Sequence, residues 1–231
     1  MGVIYPVKRA CTNQETGEKY MKTEKIFISN NDIRYDEVMD RVEMLSDDLL
    51  LDKKDALKCR LLVEETLGMV KAMTEEFIAY LHFEGDDKEF RVELTAKTKM
   101  NAEKKEDLLS VSSSGKNIAV KGLMGKISEI IENGVLNFGD LMNLNDIYSA
   151  GVIPYGDMGM VNQVESPLDA YFVWSLHQYR NNLSDAKDEN SAAAEAWDEL
   201  EKSIVASIAD DVLVGVKKDH VTMTIIKKLD A

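Results

Sequence analysis

Strands are predicted where apolar and polar residues alternate along the chain. Residues 24–30 join β-branched and aromatic residues to a pair of asparagines, a composition typical of a strand that ends in a turn. Between residues 88 and 100, apolar residues alternate with charged or polar ones, which indicates a strand with one buried face. Residues 211–229 repeat this alternation on both sides of the segment KKDH, so the sequence predicts a closing β-hairpin.

Helices are predicted where apolar residues recur at a spacing of three or four. The expected N-caps are Asn30 or Asn31, Asp52, Ser166 and Ser191. The first helix extends to about residue 50 and another opens at Ser166, and the other predicted spans are about 53–82, 119–132 and 191–209.

Strands at the start, middle and end of the chain predict one shared sheet. Because the strands alternate instead of being apolar throughout, helices are expected on one face only. The predicted fold class is α+β, a two-layer sandwich with a mixed, mostly antiparallel sheet. We expect a single domain over 1–231, with a mainly helical insertion at 134–210 before the hairpin at 211–229.

Composition narrows the classes of partner. The 231 residues carry a net charge of −14, which disfavours nucleic acid and anionic lipid as partners. No apolar run is long enough to span a membrane and no secretory leader is evident. Two cysteines, Cys11 and Cys59, are expected as free thiols. These features favour a cytoplasmic protein.

Two adjacent glutamates interrupt the apolar pattern of the second predicted helix. Glu64 points away from the apolar face and is interpreted as a solvated charge. Glu65 lies at the edge of that face, either as a rim residue that reaches solvent or pairs with Lys58, or as a carboxylate beside a cleft. The face itself comprises Cys59, Leu62, Thr66, Met69, Val70, Met73, Phe77 and Tyr80.

The elements around Glu65 resemble a known ATP-binding domain. A strand, a helix, a long helix with two glutamates, a strand, a polar loop and a helix opening with GLMG follow one another over about residues 24–132. This order resembles the GHKL (Bergerat-fold) domain of histidine kinases, anti-sigma-factor serine kinases and Hsp90-type ATPases. The resemblance implies that Glu65 stands at the general base. It also implies a nucleotide or anion site at Lys97, Asn101, Ser114, Gly115, Lys116, Lys121, Gly122 and Gly125.

Two positions depart from the family pattern. Met69 stands where the family has its Mg²⁺-binding Asn, and Lys97 stands where it has the Asp that binds adenine. A thioether is a poor ligand for Mg²⁺, and an ammonium group cannot accept a hydrogen bond from the adenine amino group. The sequence therefore predicts a degenerate nucleotide site, and no cofactor is expected.

Other chemical signals are weaker. Residues 97–126 hold seven lysines and three acidic residues, as expected either of an anion site or of a solvated loop. The three histidines, His82, His177 and His220, are far apart, and none has a second ligand at helical spacing. We therefore predict no metal site. His177 is interpreted as a packing residue on a helix with Trp174.

Three functions remain open from the sequence. The first is a non-catalytic regulatory or scaffold protein of bacterial type that acts through a protein partner, with homo-oligomers also open. The second is an ATP-dependent serine kinase or ATPase with a variant Mg-ATP site and Glu65 as base. The third is a protein that binds a small anionic ligand.

Overall fold

Nine strands in the described part of the chain form one sheet, and helices pack against it. The computed structural model describes residues 9–12, 19–29, 31–73, 77–98, 123, 126–127, 130–131, 160–162, 172–217 and 220–230. The predicted α+β class is confirmed. Every strand pair in these residues is antiparallel.

The elements are numbered in chain order over the described residues. The strands are β1 (Arg9–Thr12), β2 (Lys19–Lys22), β3 (Ile26–Ser29), β4 (Phe77–Gly85), β5 (Glu89–Thr98), β6 (Met160–Asn162), β7 (Phe172–Ser175), β8 (Asp211–Lys217) and β9 (His220–Lys228). The helices are α1 (Tyr35–Asp48), α2 (Lys53–Met73), α3 (Leu176–Ala186), α4 (Ser191–Glu201) and α5 (Ile204–Ile208).

The sheet order is β1-β2-β4-β5-β9-β8-β7-β6, with β3 paired to β4. The centre of the sheet is the long β5–β9 ladder, which extends from Glu89 opposite Lys228 to Lys97 opposite His220. The predicted strands near residues 24–30 and 88–100 and the closing hairpin are all confirmed.

Alternate side chains divide this sheet into two faces. The covered face carries buried apolar residues from neighbouring strands, including Leu81, Leu94 and Met223. On the other side, here called the open face, Tyr80 and Thr222 are exposed. The prediction that helices cover one face of the sheet is therefore confirmed.

Helices α1 and α2 supply much of the apolar layer on the covered face. Their buried members are Val38, Met39, Val42, Leu45, Cys59, Leu62, Val63 and Leu67. At the end of β4 the packing is close: a Cβ on Gly85 would lie 2.6 Å from a methyl carbon of Leu49, the residue after α1. Burial raises the pKa of the Cys59 thiol to about 12, which makes it an inert packing residue.

The second predicted helix is too long, and this prediction is wrong at its C-terminal end. Asp52 does cap α2, because its carboxylate accepts a hydrogen bond from the Asp55 N–H at 2.7 Å. The helix ends at Met73, however, and Phe77–Gly85 is strand β4. Pairing with β5 on one side and with β2 and β3 on the other satisfies the backbone of this segment as a strand.

Three smaller predictions also need correction. The residue before α1 is Arg34, with a left-handed backbone and no side-chain cap, so Asn31 does not cap this helix. The helix predicted from Ser166 is replaced by β7 and then by α3, which Ser175 caps. The helix predicted over 191–209 is two helices, α4 with Asn190 as its cap and α5 with Ser203 as its cap.

The remaining helix and cap predictions lie partly outside the described residues. This applies to Asn30, Ser166 and most of 119–132, of which residues 123, 126–127 and 130–131 are helical.

Residues 134–210 contribute strands as well as helices where the structure describes them. β7 pairs with β8 and β6 pairs with β7, so this segment extends the central sheet. Trp174 of β7 is fully buried on the covered face, and its ring lies 5.7 Å from that of Tyr179 in α3. Whether this segment is an insertion in one domain stays a prediction.

No helix within the described residues is long and apolar enough to cross a bilayer.

A buried carboxylate connects α2 to the end of the central strand β9. Asp55, whose side chain is 4% exposed, accepts a hydrogen bond from the Lys58 ammonium at 2.7 Å. It also accepts one from the backbone N–H of Asp230 at 3.0 Å. Burial alone would raise the pKa of Asp55, but these hydrogen bonds outweigh it and lower the pKa below its ordinary value.

We expect Asp55→Asn to lower the free energy of unfolding at neutral pH by roughly 1–3 kcal/mol, since a charged hydrogen bond is lost. Because the pKa of Asp55 is lower in the folded state, its contribution is complete above about pH 4 and is lost as the pH falls through the folded-state pKa. Urea titrations should therefore show the difference from wild type shrinking in acid. Asp40→Asn, at an exposed position of α1, is the control; an equal loss there would contradict the assignment.

Candidate functional site

Most of the predicted nucleotide-site residues lie outside the described part of the chain. These are Asn101, Ser114, Gly115, Lys116, Lys121, Gly122 and Gly125. Glu65 and Lys97 are described, and only these two bear on the predicted site.

Glu65 lies on α2 and is partly buried. It forms no hydrogen bond or ion pair with another described residue, and Lys58, its expected partner, instead pairs with Asp55 and Asp230. Its neighbour Glu64 is not merely solvated, because it accepts a hydrogen bond from the Tyr35 hydroxyl at 2.7 Å and thereby connects α1 to α2.

Lys97 lies on the open face. It stands at the end of β5, opposite Ile78 of β4 and His220 of β9. Its side chain is on the opposite face of β5 from the buried residues Val92 and Leu94. Glu65 belongs to a helix of the covered face, so the structure does not bring Glu65 and Lys97 together.

The structure does bring together four ionisable side chains on the open face, here called the β4–β5 cluster: His82 and Glu84 of β4, Glu93 of β5 and Lys22 of β2. His82 lies directly opposite Glu93, and Glu84 lies directly opposite Lys22. The His82 Nε2 atom is 3.0 Å from Glu93 Oε2 and 3.3 Å from Glu84 Oε1. Lys22 Nζ forms an ion pair with that same Glu84 oxygen.

The electrostatics of the cluster follow from these contacts. Burial lowers the pKa of His82, but hydrogen bonds to Glu84 and Glu93 outweigh it, so the pKa is raised above its ordinary value. The hydrogen bond from His82, with the Lys22 contact, lowers the pKa of Glu84 to about 2. The hydrogen bond from His82 also lowers the pKa of Glu93. Both carboxylates therefore stay ionised at neutral pH, with the Lys22 ammonium and the His82 ring as their partners.

The cluster cannot be recognised from the sequence as long as His82 is assigned to a helix. Ligands in a helix recur at three or four residues, whereas two residues on one face of a strand are separated by a single residue. The triplet His82-Phe83-Glu84 has the strand spacing. The cross-strand partner Glu93 follows only from the register of β4 and β5. His177, predicted to be a packing residue, is exposed.

The open face also carries exposed apolar residues, here called the apolar patch: Phe27, Ile78 and Tyr80. The Phe27 ring meets the Tyr80 ring edge to face at 5.7 Å, and Ile78 is two residues from Tyr80 on the same face of β4. These side chains are 38%, 53% and 47% exposed. Next to the patch, Lys97, His220 and Lys217 form a row across β5, β9 and β8, here called the basic row.

Comparisons with known proteins give no relative. No protein-family model matches the chain. No curated protein and no solved structure matches it either.

Proposed function

We propose that this chain is a non-catalytic regulatory or scaffold protein that binds a protein partner through the open face of its sheet. The apolar patch beside the basic row is the observation that carries the proposal. A partner that fits has an apolar group for Phe27, Ile78 and Tyr80, and acidic residues opposite the basic row. The cytoplasmic setting and the GHKL-like character expected from the sequence belong to this proposal.

The residue types at the predicted nucleotide site support a non-catalytic role. Met69 offers only a thioether where Mg²⁺ requires a hard oxygen ligand, and Lys97 offers only donors where adenine requires an acceptor. Lys97 and Glu65 also belong to opposite faces of the sheet, which disfavours a shared adenine and catalytic pocket.

The exposure of the patch supports protein contact. Aromatic and aliphatic groups that touch one another on a sheet surface are typical of interaction sites, whereas isolated exposed apolar residues are ordinary. Tyr80 combines a large apolar ring with a hydroxyl, as residues that dominate binding energy often do. The protein carries a net charge of −14, so the basic row is a local exception on an acidic surface. An acidic partner is therefore attracted to the open face more than to the rest of the protein.

We expect millimolar ATP, with Mg²⁺ or with EDTA, to leave the melting temperature of the protein unchanged. A nucleotide at about 100 times its dissociation constant would stabilise the folded state by roughly 2.7 kcal/mol, a shift that calorimetry detects readily. A Mg²⁺-dependent shift, accompanied by phosphate transfer that Glu65→Gln abolishes, would contradict the proposal in favour of a kinase or ATPase. A Mg²⁺-independent shift would favour a binder of small anions.

We expect Tyr80→Asp together with Ile78→Asp to remove the protein partners that the wild-type chain captures from a cytoplasmic extract. Loss of one central aromatic contact costs about 2 kcal/mol, which is roughly a thirtyfold loss of affinity. Quantitative mass spectrometry of the captured proteins measures the effect, and sedimentation velocity shows whether the partner is a second copy of this chain.

Leu57→Asp is the matched control for the patch variants. Leu57 is 56% exposed, comparable to Ile78, but lies on α2. Equal partner loss in the control, or full retention in the patch variants, would show that the open face is not the binding surface.

A further inference from the structure

We propose that His82, Glu84 and Glu93 form a binding site for a divalent first-row transition-metal ion such as Zn²⁺. When the ion is absent, the Lys22 ammonium forms an ion pair with the Glu84 carboxylate in its place. This inference does not rest on the proposed function. Its basis is the convergence of one imidazole nitrogen and two carboxylates on the open face of the sheet.

The spacing of the ligand atoms fits metal coordination. One atom from each of the three side chains lies within 4.8 Å of the others. With metal–ligand distances of about 2.1 Å, neighbouring ligand atoms around one ion are roughly 3.0–3.4 Å apart. The two distances from His82 Nε2, to Glu84 and to Glu93, are 3.3 and 3.0 Å. The same distances suit hydrogen bonds from Nε2–H, so an ion would take the place of that proton between the ring and the two carboxylates.

The backbone holds the three ligands in place. His82 and Glu84 share one face of β4, and the β4–β5 register sets Glu93 opposite His82. Because strands inside a sheet are fixed by ladders on both sides, this arrangement is more rigid than one built on loops. His82 is 3% exposed, while Glu93 is 30% exposed at its side chain. The site is therefore closed at the imidazole and open to solvent at Glu93.

The donor types select the class of ion. Mg²⁺ and Ca²⁺ prefer all-oxygen ligands, whereas imidazole favours Zn²⁺ and other first-row transition ions. Three protein ligands leave at least one coordination position for water. This ligand set is typical of a metal site that keeps one coordination position open, and not of a structural site, in which protein ligands fill every position.

Metal binding at this site displaces two groups: the Lys22 ammonium leaves Glu84, and the proton that His82 Nε2 shares with the carboxylates is released to solvent. The Lys22 ammonium contacts the Glu84 oxygen that an ion would coordinate, and two positive groups cannot share that oxygen favourably. The Lys22 side chain is 32% exposed, so its ammonium can turn to solvent when an ion enters. Removing this ammonium should therefore strengthen metal binding, an effect opposite in sign to that of removing a ligand.

The test is calorimetric titration of tag-free, EDTA-treated protein with ZnCl₂ at pH 7.5. We expect one ion per chain in the wild type. Glu93→Gln should weaken binding by more than the roughly 10- to 100-fold typical of losing an outer-shell partner. Lys22→Met should strengthen it severalfold. The exposed Glu24→Gln and Lys25→Met are the matched controls and should leave the affinity unchanged.

A second measurement tests directly whether Zn²⁺ binds at His82, and it does not depend on how well a variant folds. In ¹H–¹⁵N spectra of the imidazole rings, Zn²⁺ should shift the signals of His82 and leave those of the exposed His177 and His220 in place. Wild-type affinity in Glu93→Gln, no strengthening in Lys22→Met, or unmoved His82 signals would each overturn the site and leave the cluster as an ion-pair network.

Discussion

Each strand of this sheet presents successive side chains to two different environments, and both candidate sites depend on that alternation. One parity places a residue beneath α1 and α2 in an apolar layer, and the other places it on the open face among polar and partly exposed side chains. Leu81 and His82 are adjacent in sequence, yet one belongs to the core and the other to an ionic cluster. A shift of the β4–β5 register by one residue would exchange these roles along the whole strand. The pairing between β4 and β5 therefore specifies the chemistry of the open face.

The sequence correctly predicted those elements in which the apolar residues fit only one spacing, either that of a strand or that of a helix. The alternation of β5 and of the β8–β9 hairpin, and the apolar stripe of α1, gave elements that the structure confirms. The prediction of a helix over residues 77–82 was wrong because two spacings fit this segment. Phe77 and Tyr80 fit the spacing of a helix, whereas Ala79, Leu81 and Phe83 fit the spacing of a strand. Long-range pairing with β5 decides between them, and a local pattern does not contain that information.

The candidate sites were affected by the same ambiguity. Lys97 could be identified as a departure from a family pattern, but its face could not be known before the strand register. The spacing of a helix brings neither Glu84 nor Glu93 next to His82, and both carboxylates become its neighbours only when β4 is a strand. Glu65 illustrates the converse: the predicted helix is confirmed around this residue, though not beyond Met73, whereas the position of that helix relative to Lys97 required the sheet.

Carboxylates on neighbouring strands repel unless cations separate them. Glu84 and Glu93 are kept close by Lys22 and by the His82 ring between them, and the same contacts lower the pKa of both carboxylates. The cluster is accordingly a unit in which a change of one member affects every other member. Such a unit suits the exchange of an ammonium for a metal ion better than a group of water-exposed acidic residues does. Its two carboxylates already need a cation beside them, whereas exposed carboxylates are stabilised by water.

The central ladder joins parts of the chain that are remote in sequence. β5 pairs on one side with β4, its neighbour along the chain, and on the other with β9, so that Glu89 meets Lys228. During synthesis, the edge of β5 that faces β9 therefore remains without its native partner until almost all of the described sequence has been translated. Such a topology folds slowly, since a long loop must close before the pairing is gained. An unpaired strand edge in a partly made chain is a site at which aggregation can begin, so the late arrival of β9 makes that interval the one in which this edge needs protection.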